Sequence, residues 1–232
     1  MRQESDFIGV KTIPPAAYWG VHTARAIENF PITGHTVAQM PELIRALALV
    51  KKACAHANVQ FGAITASQCD AISQACDDLI AGKLHAEFVV DVIQGGAGTS
   101  TNMNANEVIA NLALEHLGLA KGRYDVINPN DHVNASQSTN DVYPTALKLA
   151  TWFGAQKLLT ALAGLRGAFE AKAREFDRVL KIGRTQLQDA VPMTLGQEFA
   201  SFVSMIADDE KRLRDSLFLM TEVNLGGTAI GT

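Results

Sequence analysis

The sequence predicts an all-α fold, with a mainly helical N-terminal domain over residues 1–140 followed by long helices of a central helical bundle over residues 141–232. Three observations predict it. Beyond Pro41, apolar residues recur every three or four positions over most of the chain. Helix-start signals stand at the heads of those patterns: a proline suited to a first helical position and two Thr-x-x-Gln capping boxes. The last two patterns run past ordinary helix length, and long amphipathic helices need apolar partners.

The first forty residues carry Pro14, Pro15, Gly20, Pro31 and Gly34 without a sustained helical period and read as an extended, turn-rich arm. Behind Pro41, the spacing of Leu43, Leu47, Val50 and Cys54 predicts the first helix. Thr65 and Gln68 then form a capping box ahead of Ile72, Ala75, Cys76 and Leu79, and Gly82 is the expected stop. A third helix is expected from about Asn104 to Leu117, burying Val108, Leu112 and Leu117 and ending at Gly118. The longest pattern starts at Pro144 and runs through Leu147, Phe153, Leu158, Leu162, Leu165 and Phe169 to Phe176. The last starts at the Thr194–Gln197 capping box and buries Phe199, Phe202, Val203, Ile206, Leu213, Leu217 and Met220.

Composition narrows the function classes. With 47% hydrophobic residues, 19% charged residues and a net charge of -4, the chain has no cationic footprint for nucleic acid or an anionic membrane surface, and neither partner is expected. Met1–Val10 lacks the apolar core of a leader, and the longest uninterrupted apolar run is Ala46–Val50. Cys54, Cys69 and Cys76 match neither a zinc knuckle nor a CxxC pair and read as small core residues of a reducing compartment, so a soluble, cytoplasmic protein is expected. The 6 histidines show no HExxH spacing, no GxSxG elbow is present, and Gly95-Gly96-Ala97-Gly98 lacks a P-loop lysine. No metal and no cofactor are expected.

Three polar segments stand out between the helices: Gly95 to Asn102, Asn128 to Asp141, and Gly183 to Asp189. Each is rich in hydroxyl, amide and glycine residues, and each is expected to open a helix, where unpaired backbone N–H groups favour an anion. Any one of them is explained as well by capping and turn formation. Three in one chain favour a site of neutral donors suited to a small dicarboxylate whose charge shifts during reaction.

The runs Gly98-Thr99 with Asn102-Met103-Asn104-Ala105-Asn106-Glu107-Val108, Asn128 to Asp141, and Gly183-Arg184-Thr185-Gln186-Leu187-Gln188-Asp189-Ala190 resemble the aspartase and class II fumarase superfamily. The likeness extends from Asp6 to Thr232. Gln186 stands where fumarases carry histidine, Thr139 where they carry a second serine, and Asn128 where they start with histidine, which points to the aspartase branch.

The resemblance implies the helical bundle fold of that superfamily, present here in truncated form. It also implies reversible deamination of L-aspartate to fumarate in a homotetramer with shared active sites. Thr99, Ser138 and Thr139 would donate to the carboxylate that takes up charge, Thr185 would hold the other carboxylate, and Asn140 and Gln186 would orient the amino group. The family's general-base serine lies in a loop beyond the segment matched here. This length of chain is therefore expected to be inactive alone and to self-associate through Phe153, Leu158, Leu162, Phe202, Ile206 and Leu213. Asp141, Glu107 and His132 are expected to be structural. Two alternatives stay open: fumarate hydration on the same fold, and a non-catalytic assembly module.

Overall fold

The computed structural model describes residues 1–230; Thr232, where the second expected segment ends, lies outside the described residues. The chain divides into two compact units, Met1–Ala150 together with the chain from Val223 onward, and Thr151–Glu222. The boundary expected at 140/141 coincides with the start of a long helix, whereas this division falls within that helix.

The first unit opens on an antiparallel hairpin, β1 (Arg2–Asp6) and β2 (Gly9–Ile13), where sequence predicted an irregular arm. Its turn is built by Asp6, whose Oδ1 accepts from the backbone N–H groups of Ile8 and Gly9 at 2.9 and 3.1 Å. The strand shows no apolar alternation because its buried residue is Glu4, paired with Arg2 at 2.6 Å. Helix α1 (Val21–Asn29) follows, also unforeseen. Its N-terminus has no cap of its own. Glu4 Oε2 accepts from Val21 N, and Glu107 accepts from the backbone N–H groups of Gly20, His22 and Thr23 at 2.8–3.1 Å.

Helix α2 (Pro41–Gln60) starts on Pro41 as predicted, and α3 (Ala66–Ile80) carries both hydrogen bonds of the Thr65–Gln68 capping box. Gly82 takes φ +91 behind α3, and Gly118 takes φ +71 behind α4 (Thr99–His116). Consecutive helices α2, α3 and α4 pack together, and Ile44, Leu47, Ile72, Leu79, Val108, Ile109 and Leu114 are buried between and around them. Helix α4 starts five residues ahead of the expected Asn104, and Leu117 is exposed rather than buried. The early start follows from pairing. Gln94 Oε1 accepts from Thr101 N at 2.8 Å, and the Asn104 amide donates to the Glu87 carbonyl at 3.1 Å, so a polar first turn can be buried.

Helix α5 (Thr139–Glu175) also begins earlier than expected and runs from the first unit into the second. Pro144 lies inside it, so the Asn140 carbonyl has no helical N–H to accept. In the second unit, a hairpin of β3 (Leu180–Thr185) and β4 (Gln188–Thr194) leads to α6 (Leu195–Leu217), whose capping box at Thr194 and Gln197 is complete. Phe169, Phe176, Phe199 and Phe202 form an aromatic cluster with ring centroids 5.5–6.0 Å apart. Ala155, Leu159 and Leu217 make a small core with Leu213 and Met220. Leu147 in the first unit, and Leu158, Leu165 and Phe202 in the second, stay exposed, so helical period located the helices better than it located the core. Among the described residues no helix is long and apolar enough to cross a membrane.

Asp91 ties two loops of the first unit together. Burial raises the carboxyl's pKa, but the N–H groups of Ile93, Thr33 and Gly34 and the Thr33 hydroxyl, all within 2.7–2.9 Å, outweigh that and pull it to about 2. A carboxyl lowered on folding stabilises the fold above its unfolded pKa of about 4 and stops doing so as pH falls through 2. Asp91→Asn is therefore expected to melt below the parent protein at pH 5, with the gap closing between pH ~4 and ~2. A gap that stays constant over that window in thermal melts would rule out this account.

Candidate active site

The glycine-rich segment and the start of α5 come together in the first unit. Gly98 adopts φ +88 at the head of α4, with Tyr143 from α5 so close that an added Cβ would lie 2.3 Å from the Tyr143 ring. Thr99 and Ser100 are the first helical residues, whose N–H groups an α-helix leaves without partners. Thr99 is exposed, and its Oγ1 makes no hydrogen bond among the described residues.

One turn along, the Asn102 amide donates to Thr139 Oγ1 at 3.3 Å and to Asn134 Oδ1 at 3.2 Å. Ser138 and Asp141 cap α5 reciprocally. Ser138 Oγ accepts from Asn140 N at 3.2 Å, and Asp141 Oδ1 accepts from Ser138 N at 2.9 Å. Asp141 Oδ2 also accepts from Gly226 N at 3.1 Å, so the buried carboxylate is structural, as expected. The Ser138 hydroxyl uses a lone pair in the cap and keeps its proton for another acceptor. Asn140 is exposed, and Ser138 and Thr139 are half-buried.

Glu107 and His132 also make bonds that hold local structure. Glu107 is buried beneath α1 as its cap, and burial raises its pKa against the helix N–H groups that favour its ionised form. His132 lies in a one-turn π-helix, Pro129–Val133, where its Nδ1 accepts from Asn128 N at 2.8 Å.

Thr185 and Gln186 belong to the second unit. The Gly183–Asp189 segment does not open a helix, contrary to expectation. It is the tip of the β3–β4 hairpin, with Gln186 (φ +49) and Leu187 (φ +64) as the turn residues. Two successive left-handed residues make the turn that matches the twist of paired strands, and Thr185 pairs with Gln188 across it. Gly183 sits at a β-bulge between Ile182 and Arg184, where a Cβ would meet the Val191 carbonyl at 3.1 Å. Both Thr185 and Gln186 are exposed.

Sequence reasoning missed the layer beneath the α5 loop. Lys51 of α2 is completely buried and donates to Asn134 Oδ1 at 2.7 Å and Gln137 Oε1 at 2.9 Å. Asn58 donates to the Ala135 carbonyl at 2.8 Å. The signal was present: Lys51 falls four residues after Leu47 and three before Cys54, on the buried stripe of its helix.

A model of a lyase family matches residues 9–232. An aspartate ammonia-lyase of Pseudomonas canavaninivorans is 56% identical over 232 residues, which is all of this chain and 49% of that protein. The crystal structure of a Brucella melitensis fumarate lyase:delta crystallin bound to cobalt is 57% identical, with a TM-score of 0.96 over all of this chain and 50% of that one. A recombinant class II fumarase from Schistosoma mansoni is 38% identical, with a TM-score of 0.91, and is covered over 48% of its chain. The chain spans about half the length of the curated relatives it matches.

Proposed function

Because this chain belongs to that lyase family, we propose that it is part of a carbon–nitrogen lyase that reversibly deaminates L-aspartate to fumarate and ammonia, acting as a homotetramer with shared active sites. The observation that carries the reading is the meeting of two neutral-donor helix starts, Thr99 at α4 and Ser138–Thr139 at α5, linked through Asn102. The identity to aspartate ammonia-lyases, 52–56% over the whole chain, favours deamination over the hydration performed by fumarases.

The chemistry explains why neutral donors are wanted. Taking a proton from the carbon beside aspartate's side-chain carboxylate puts a second negative charge next to the first. The accessible route spreads that charge over the carboxylate oxygens as an enediolate-like dianion, which fixed donors must meet. Thr99, Ser138 and Thr139 are the donors proposed for it, each able to give a hydroxyl proton while its backbone is held by a helix start. Thr185 would bind the remaining carboxylate, and Asn140 and Gln186 would orient the amino group, where a lysine or arginine would repel an ammonium.

Absorbance of fumarate formed from aspartate, with malate as the parallel substrate, tests this on the protein at its natural length. Fumarate from aspartate supports the reading; fumarate from malate alone would replace it with fumarase, and none from either would favour an assembly module. Gln186→His is expected to leave aspartate as the preferred substrate, since one side chain supplies only a few kcal/mol of discrimination. Efficient malate dehydration by that variant would show that specificity resides at the hairpin tip.

A further inference from the structure

Lys51 is among the largest fully buried side chains of the described residues, and it occupies a position where an apolar residue would serve the core. A buried cation with no carboxylate in hydrogen-bond contact is seldom retained for stability, because apolar replacements of buried ionic groups are often neutral or stabilising. What surrounds Lys51 is specific. Two neutral oxygens, Asn134 Oδ1 and Gln137 Oε1, face its nitrogen, and no third acceptor does among the described residues. A neutral amine offers two N–H donors and matches that pair, whereas an ammonium brings a third donor with nowhere to go.

The two acceptors bracket a tight turn in which Ser136 takes φ +57 and which ends at Ser138 and Thr139. From Asn134 the chain of bonds continues: its Oδ1 also accepts from the Asn102 amide, which donates in turn to Thr139 Oγ1. The Asn102 Oδ1 is itself buried without a hydrogen-bond partner among the described residues, so this side chain is held through its N–H groups. A Thr139 oxygen engaged from below presents its proton elsewhere.

We propose that Lys51 is a pH-dependent positioning residue, which orders the 134–139 loop and the Thr139 hydroxyl best after shedding the proton for which the loop has no acceptor. The Thr139 part of this rests on the function proposed above. The titratable groups around the amine are Cys54 on α2, Cys76 on α3 and Asp141 on α5. Burial lowers the Lys51 pKa to about 7 against the pull of all three. Opening the loop would hydrate Lys51 and restore an ordinary lysine, so opening takes up a proton. It becomes harder as pH rises from about 7 toward about 10.

Hydrogen exchange of amides 134–139, corrected for intrinsic rates, tests this on the protein at its natural length alongside kcat and KM for aspartate. Between pH 7 and 9, protection of these amides is expected to rise about tenfold or more. In Lys51→Met the rise should vanish, and kcat should fall with KM little changed. Gln137→Met, which keeps the lysine but removes one acceptor, should lower protection while retaining its pH dependence. A flat profile in the parent protein, or an unchanged rise in Lys51→Met, overturns the proposal. Should Lys51→Met fail to fold, the parent profile and Gln137→Met decide. A parent protein inert toward aspartate would refute the function while leaving the exchange profile to judge Lys51.

Discussion

Thr99→Ala and Ser138→Ala are each expected to lower aspartate turnover by about 10²-fold or more, the loss of roughly 3 kcal/mol usual when one donor to a developing oxyanion is removed. The two variants should differ in stability. Ser138 Oγ accepts from Asn140 N and so caps α5, and its loss should cost about 1 kcal/mol. Thr99 Oγ1 takes no part in its helix start, so Thr99→Ala should melt with the parent protein. A loss confined to kcat in Thr99→Ala, with KM nearly unchanged, would mark a donor used in the transition state. Unchanged turnover in both variants would remove these hydroxyls from the site.

Gly98→Ala is expected to damage both fold and site. The left-handed conformation costs an alanine about 1–2 kcal/mol, and the new Cβ would lie 2.3 Å from the Tyr143 ring. Overpacking of that kind adds about 1–3 kcal/mol. The ring sits on α5 just beyond Thr139, so relief requires α4 and α5 to part where Thr99 and Thr139 are held. Turnover should fall by about two orders of magnitude, as expected when donors are displaced by about 1 Å. Gly118→Ala supplies the control. That residue is also left-handed, at φ +71, but an added Cβ would meet nothing within 4 Å, so only the backbone cost applies. Equal melting temperatures for the two variants would show that the contact with Tyr143 is harmless.

The parts of this protein that its sequence determined by itself are those whose partners lie within one helical turn. Pro41 at the start of α2, the Thr65–Gln68 and Thr194–Gln197 boxes, and the left-handed stops at Gly82 and Gly118 were legible because donor and acceptor are three or four residues apart. So were the polar loops that hold Thr99 and Ser138, since hydroxyl and amide residues between apolar patterns need a use.

Tertiary structure alone decided what depends on distant partners. Helix α1 carries no cap in its own sequence, because the carboxylate that receives its first N–H groups is Glu107, up to 87 positions away. The first hairpin buries Glu4 in place of an apolar residue, so its strands show no alternation to read. At Gln186 and Leu187 the tight turn is made by residues that do not ordinarily favour left-handed backbone, and the segment passed for a helix start. Lys51 was the most deceptive, since a lysine in a helical stripe usually marks a gap in the core. Here α2 carries it under a loop more than eighty residues further along, where Asn134 and Gln137 supply the acceptors that make its burial tolerable. The physical reason is the same in each case. A buried polar group is stable only with its partner, and when that partner is far along the chain only folding brings the two together.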